Sequence, residues 1–301
     1  MQQYLAGRHN FDILSVEKDT PISGKLFVDQ RPDKDLKAKR FVINHSTFAN
    51  MSFKSSSFIA SNLSFCVFIG CYFRRTYFEA TLFTGCKFID CVFDDITLVG
   101  CDMRYSTFEN CYIDYDVLIG SLPVPSNIRW KMCTNLALES LRSGDSEQYR
   151  KYFFEEMKSS EEHYWDMVIQ RGKWYKDKYD TVDRFLGLFK FTKSKMSKYL
   201  WGYGEKISHL VIVILSVILI FSVIYYAQVD VFKEANSSTA AAKSLDFSES
   251  LYLSFCNFIT ITSDFTTNNA FVRLITAIEG VLGVVLMGFF VAALFRFINR
   301  R

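Results

Sequence analysis

Eight cysteines and four histidines are the residues of this 301-residue chain best equipped for covalent or metal chemistry. The histidines, His9, His45, His163 and His209, stand isolated, with no nucleophile, acid or ligand-like spacing beside them. Six cysteines, Cys66, Cys71, Cys86, Cys91, Cys101 and Cys111, fall at multiples of five residues apart. The pairs Cys66–Cys71 and Cys86–Cys91 invite a zinc reading, but cysteine is also a small hydrophobe that packs well in a core. Packing is the better account, and a reducing cytoplasm argues against disulfides. No phosphate loop or nucleophile–base pair is visible, so neither an enzyme nor a cofactor or metal is expected. One carboxylate stands where charge is costly. Glu279 is the lone ionisable side chain in the apolar run Leu274–Leu294, and such groups face protein or water rather than lipid.

The cysteine spacing belongs to a longer pattern. Every fifth residue from Phe48 to Leu118 is large and apolar, and Phe68, Phe73, Phe78, Phe83, Phe88 and Phe93 are its centre. Two residues before each stands a second position that is mostly small: Ser56, Ser61, Cys66, Cys71, Thr76, Thr81, Cys86 and Cys91. A period of five fits neither a helix nor a flat strand. One such unit cannot bury its phenylalanine alone, so the units must wind and stack as a solenoid. The pattern resembles the pentapeptide-repeat family. That resemblance implies a right-handed quadrilateral β-helix with about twenty residues per coil, about four coils over 41–120, stacked roughly 4.8 Å apart. Asp90, Asp94, Asp95, Asp102, Asp114 and Asp116 cluster late in the repeat. They are read as a solvated face, with a basic partner as the alternative. DNA mimicry of the kind some family members show is set aside, because Lys54, Arg74, Arg75, Lys87 and Arg104 interleave with the acids.

The chain has a formal net charge of +3 and is 50% hydrophobic, which hides a change of character in its last third. Leu210–Ala227 is uncharged and strongly apolar, and Leu274–Leu294 follows; each approaches the ~20 residues of a bilayer span. Between them Ser250–Ile261 is apolar for only about half a span, which suggests a re-entrant element. Lys190, Lys193, Lys195, Lys198 and Lys206 precede the first span, and Arg296, Arg300 and Arg301 follow the second. The intervening segment has fewer bases, Lys233, Lys243 and Arg273, against Asp230, Glu234, Asp246, Glu249 and Asp264. Both termini are therefore expected in the cytoplasm. The opening MQQYLAGRHNFD shows no apolar signal-peptide core. Tyr225 and Tyr226 at one end of the first span, and Trp201 and Tyr203 at the other, suit interfacial belts.

The order span, half-span, span resembles the pore domain of the two-transmembrane potassium-channel superfamily. Leu251–Phe255 carries the likeness to a pore helix, Thr260-Ile261-Thr262-Ser263-Asp264 to a selectivity filter, and Arg273-Leu274 with Ala277–Gly280 to the start of an inner helix. The resemblance covers about 207–298 and implies a homotetramer in a plasma membrane, the bacterial inner membrane, passing monovalent cations. A potassium filter reads Thr-Val-Gly-Tyr-Gly, and its glycines aim backbone carbonyls at the ion. Here neither glycine is present, so the expectation is a wider cation pore of weak selectivity. The hydroxyls of Thr260, Thr262 and Ser263 and a ring of Asp264 carboxylates would line it. Glu279 either braces the pore helix from behind or lines the ion path. Gly280, Gly283 and Gly288 allow close helix packing, with a gating bend as the alternative. Gly202-Tyr203-Gly204 spells a filter fragment but precedes the first span and is read as a turn.

The expected organisation is therefore 1–40 as an irregular cap, 41–120 as the β-helix, 121–206 as a helical connector and 207–301 as the pore domain. Within the last, the spans are expected at about 209–228 and 272–298 and the pore helix at about 249–261. Phe11–Val16 and Lys25–Val28 read as strands capping the solenoid. Leu122-Pro123-Val124-Pro125 ends it, Asn135–Arg142 is a short helix, and Asp145 caps an amphipathic one. The basic, aromatic stretch Arg171–Lys206 suits a membrane surface better than nucleic acid. The function that fits is a tetrameric cation channel gated or docked through its repeat domain by an unidentified cytoplasmic protein or ligand. A non-conducting membrane-anchored scaffold is the alternative.

Overall fold

The computed structural model describes residues 10–33, 36–228, 231–234 and 244–298. His9, Lys34, Asp35, Asp230, Lys243, Arg300 and Arg301, and the start of the opening segment, lie outside the described residues. The chain forms two compact units that divide after Phe191.

The first unit is the solenoid and most of the connector. Its strands are three residues long: β1 (Pro21–Ser23), β2 (Leu26–Val28), β3 (Lys37–Lys39), β4 (Val42–Asn44), β5 (Thr47–Ala49), β6 (Ser57–Ile59), β7 (Val67–Ile69), β8 (Tyr77–Glu79), β9 (Lys87–Ile89), β10 (Thr97–Val99) and β11 (Thr107–Glu109). All pair in parallel. One face runs β2-β5-β7-β9-β11 and another β3-β6-β8-β10. Single bridges, Val42–Asn62–Leu82–Asp102 and Ser52–Tyr72–Val92–Tyr112, make the other two faces. Thr47 lies opposite Val67, Val67 opposite Lys87 and Lys87 opposite Thr107, a step of twenty residues per coil. Strand pairing begins at Pro21, twenty residues before the first repeat visible in the sequence, and a single bridge already joins Asn10 to Leu26. Phe11–Val16, expected as a strand, holds a 3-10 turn at Ile13–Ser15.

Stacking at this register puts like on like. Phe27, Phe48, Phe68, Phe88 and Phe108 form one column with centroids 4.7–5.1 Å apart, and Phe53, Phe73 and Phe93 form a second at 5.2 Å. Phe68, Phe73, Phe78, Phe83 and Phe88 are at most 2% exposed, while Phe93 is half-buried. The small position has a job beyond size. Its side chain donates to the carbonyl of the large residue one coil below: Cys71 Sγ to Phe48 O at 3.4 Å, Thr76 Oγ1 to Phe53 O at 2.8 Å, Ser106 Oγ to Phe83 O at 2.7 Å. Serine, threonine and cysteine all meet that demand. The late acids are exposed, apart from the half-buried Asp102, and several are paired, Asp94 with Arg74, Asp95 with Arg75, and Asp102 with Arg104.

A solenoid leaves an open edge where it stops, and unpaired strand edges invite aggregation. After one helical turn, α1 (Tyr115–Leu118), the helix α2 (Ser126–Arg142) crosses that edge. Asn135 pairs with both the N–H and the C=O of Phe108 at 2.8 Å, and Glu139 accepts from the Asn110 N–H at 2.8 Å. Two side chains one turn apart thus stand in for the missing strand. Helix α3 (Ser146–Ile169) packs on α2 and begins at Asp145, whose carboxylate accepts from Glu147 N and Gln148 N at 3.0 Å. Helices α4 (Lys173–Lys178) and α5 (Thr181–Trp201) follow. Val182, Phe185 and Phe189 are exposed on the first half of α5, and Lys190, Lys193, Lys195 and Lys198 follow them along the helix.

The second unit contains two helices long and apolar enough to cross a membrane, α6 (Ile207–Tyr226) and α8 (Ala270–Ile298). At 1.5 Å per residue α6 spans about 30 Å, the thickness of a hydrocarbon core. Between them lie α7 (Phe247–Phe258) and a two-stranded antiparallel ribbon of β12 (Phe232–Glu234) and β13 (Phe265–Thr267). Gly202-Tyr203-Gly204 is a 3-10 turn before α6, with positive φ at all three residues.

Candidate functional site

The site is built where α7 enters the angle between the two long helices. α7 starts at Asp246, whose N–H donates to Glu249 Oε2 at 3.1 Å. Ser250, Leu253, Ser254, Cys256 and Phe258 are buried, whereas Leu251, Tyr252 and Phe255 are exposed. The buried face is polar where it meets Glu279 of α8, which is fully buried. Ser254 Oγ donates to Glu279 Oε1 at 2.5 Å, Tyr225 Oη to Oε2 at 2.6 Å, and Asn257 Nδ2 to Oε2 at 3.3 Å. One carboxyl group therefore joins all three helices of the unit. A buried polar group costs little when its bonding capacity is used in this way, and much when it is not.

One turn further along α8 comes Gly283. A Cβ built there would lie 2.0 Å from the Phe258 carbonyl oxygen, so only glycine lets the end of α7 rest against α8. Gly280 has ordinary room, its Cβ position lying 3.7 Å from Asn257 O, and Gly288 has nothing within 4 Å. Of the three glycines, Gly283 alone is required by packing in this arrangement.

Helix α7 ends at Phe258, short of Ile261, because Thr260 turns into the left-handed region at φ +57°. The Ile261 N–H then returns to Cys256 O at 2.9 Å, closing the helix as glycine usually does. A β-branched residue is strained there. The chain next runs through Ile261, Thr262, Ser263 and Asp264 to β13, which is tied to β12; Thr267 Oγ1 also donates to Val231 O at 3.0 Å. The segment is thus fixed at both ends. Thr260, Ile261, Thr262 and Asp264 are exposed, and Ser263, half-buried, donates its hydroxyl to Phe265 O at 3.2 Å.

Tyr225 corrects one expectation. Placed by sequence in an interfacial belt, it is fully buried and bonded to Glu279, while its neighbour Tyr226 is 53% exposed. Sequence reasoning also passed over Ser254 and Asn257. A helical wheel of α7 carries the signal, since 254 and 257 share a face and both carry donors. Trp201 packs on Phe289 with centroids 5.0 Å apart. Among the described residues no three of His, Cys, Asp and Glu converge as a metal site.

Residues 213–300 match the family model described as ion channel, and residues 56–93 match that of pentapeptide repeats, in 8 copies. No curated protein matches the chain. Among solved structures it is similar to full-length QnrB1, a plasmid-mediated fluoroquinolone resistance protein, at 19% identity and a TM-score of 0.19, over 32% of this chain and 45% of that one. It is similar to HetL, a pentapeptide repeat protein involved in heterocyst differentiation regulation from the cyanobacterium Nostoc, at 11% identity and a TM-score of 0.16, over 38% and 47% of the two chains. A pentapeptide repeat protein from the Arabidopsis thaliana thylakoid lumen matches at 12% identity and a TM-score of 0.19, over 40% and 84%. The chain spans less than half the length of QnrB1 and HetL.

Proposed function

We propose that this chain, which carries pentapeptide repeats followed by a C-terminal two-transmembrane ion-channel domain, assembles as a homotetrameric cation channel of weak selectivity. One observation carries the reading. The segment Thr260–Asp264 is fixed at both ends yet exposed at every residue but the half-buried Ser263, beside the exposed Leu251, Tyr252 and Phe255 of α7. Irregular backbone at membrane depth is tolerated only against protein or water. Neighbouring copies supply the protein and a central pore supplies the water.

Within such a tetramer, Glu279 holds α7 against both spans and thereby sets the position of the filter. It is a bracing group, since its hydrogen-bond partners are side chains of α6 and of the buried face of α7. With no glycine between Thr260 and Asp264, the backbone lacks the freedom that aims successive carbonyls inward, so ions pass partly hydrated. Four Asp264 carboxylates at one mouth concentrate cations and repel anions. The basic flanks support a topology with both termini, and with them the repeats, on the cytoplasmic side of a plasma membrane, the inner membrane of a bacterium. There the repeat domain gates the pore or docks a partner.

The missing filter glycines also favour a second reading, a membrane-anchored scaffold that conducts nothing. Potassium efflux from proteoliposomes separates the two: efflux that Asp264→Asn reduces supports the channel, and its absence supports the scaffold.

A further inference from the structure

A cavity of about 620 Å³ opens between the late solenoid and the connector helices. Small-molecule sites occupy roughly 300–1,000 Å³. Its walls are aromatic and open to a ligand: Tyr105 from a coil corner, Trp165 from α3 and Trp174 from α4 are 65%, 44% and 46% exposed. Its floor is polar and fixed. Ser126, Asp166 and Tyr175 are only 6%, 8% and 9% exposed. Ser126 Oγ lies 3.2 Å from both Asp166 Oδ2 and Tyr175 Oη, and Tyr175 Oη is 2.9 Å from His163 Nδ1.

The charges decide what fits. Two carboxylates line the cavity, and each already has a cation: Glu162 pairs with Arg129, and Asp166 with Arg171 at 3.3 Å. Lys173 stands exposed at the rim and makes no ion pair among the described residues. The Lys178 ammonium lies over one face of Trp174, 4.4 Å from its centroid. The acids are thus satisfied, whereas two lysines border the aromatic walls.

We propose that this cavity binds a small planar aromatic anion, its ring against Trp165 and Trp174 and its negative group at Lys173. Bound there, the ligand joins the late coil, through Tyr105, to the connector. The site lies wholly within the first unit and stands whether or not the second unit conducts.

The test is ¹⁹F NMR line broadening on the full-length protein in detergent, with empty micelles as blank. The probes are 4-(trifluoromethyl)benzenesulfonate and its cationic counterpart 4-(trifluoromethyl)benzyltrimethylammonium. The sulfonate is expected to broaden and the ammonium to match the blank. Lys173→Glu and Trp174→Ala should each weaken sulfonate binding about tenfold or more, roughly 1.4 kcal/mol. Lys173 is exposed, so its variant keeps the wild-type melting temperature and separates binding from folding. Equal broadening of both probes, broadening of the ammonium alone, no broadening, or undiminished binding in either variant would overturn the proposal.

Discussion

The Tyr225 hydroxyl donates to Glu279 Oε2 at 2.6 Å, and both side chains are fully buried. Their partners Ser254 and Asn257 bring the number of donors on Glu279 to three, from two different helices. Glu279→Gln replaces one acceptor oxygen with an amide that faces donors. The expected cost is about 1–3 kcal/mol, the penalty of leaving a buried polar group unpaired. It should be read as a lower melting temperature of the purified protein, with Tyr225→Phe showing a smaller loss. A Gln variant that melts with the wild type would show that the network does not hold α7.

Gly283→Ala puts a methyl group into the Phe258 carbonyl, and Gly288→Ala puts one into open space. The first should destabilise by about 1–3 kcal/mol through overpacking, and the second should be close to silent. Thermal unfolding of both variants checks the contrast, which fails if they behave alike.

Phe73→Ala empties the middle of a phenylalanine column and should cost about 3–5 kcal/mol. Cys71→Ser should cost far less, because a hydroxyl can make the same donation to the Phe48 carbonyl. Cys71→Ala, which leaves that carbonyl without its side-chain donor, should fall between them. The order of melting temperatures tests whether the small position is chosen for its donor as well as its size.

His163 is buried against Tyr175, and burial holds its pKa below the ordinary 6.5; Lys178, Lys190 and Lys131 act in the same direction, and Asp166 opposes them. The unfolded chain therefore takes up the proton more readily than the folded one. Stability from this group is complete above about pH 6.5 and is lost as pH falls toward the folded value. His163→Gln should flatten the decline in melting temperature of the first unit between about pH 7 and pH 5. An unchanged profile would place the acid sensitivity elsewhere.

Much of the solenoid was legible because its period is set by local sterics. The bulky fifth residues and their small companions report the inward face directly. A further signal lay unread: every fifth residue from Arg40 to Asn110 has positive φ, and none of them is Val, Ile or Thr. Those corners exclude β-branched side chains, which clash in the left-handed region. Pairing before residue 41 was hidden because its first coils step by 21 residues, as in Leu26 opposite Thr47, and break the period. Helix α2 was read as starting at Asn135 because its buried face mixes Ser126, Glu139 and Ser140 with Met132 and Leu136, which blurs any apolar stripe. Where α6, α7 and α8 meet, Glu279 announced itself as a charge in an apolar run. Its partners did not, since Tyr225, Ser254 and Asn257 are ordinary residues until three helices meet. The ribbon of β12 and β13 pairs segments more than thirty residues apart, a distance no local pattern reports.

The central claim is that Thr260–Asp264 lines a weakly selective cation pore, and planar-bilayer recording of the purified protein tests it most directly. Under asymmetric KCl the reversal potential should lie on the cation side. With KCl facing NaCl it should fall well short of the potassium equilibrium value. Asp264→Asn should lower conductance or cation preference most at low salt, where charge is poorly screened, and Thr262→Ala should shift relative permeabilities without altering the choice of cation over anion. Reversal at the potassium equilibrium potential, or no current under any condition, would contradict the account.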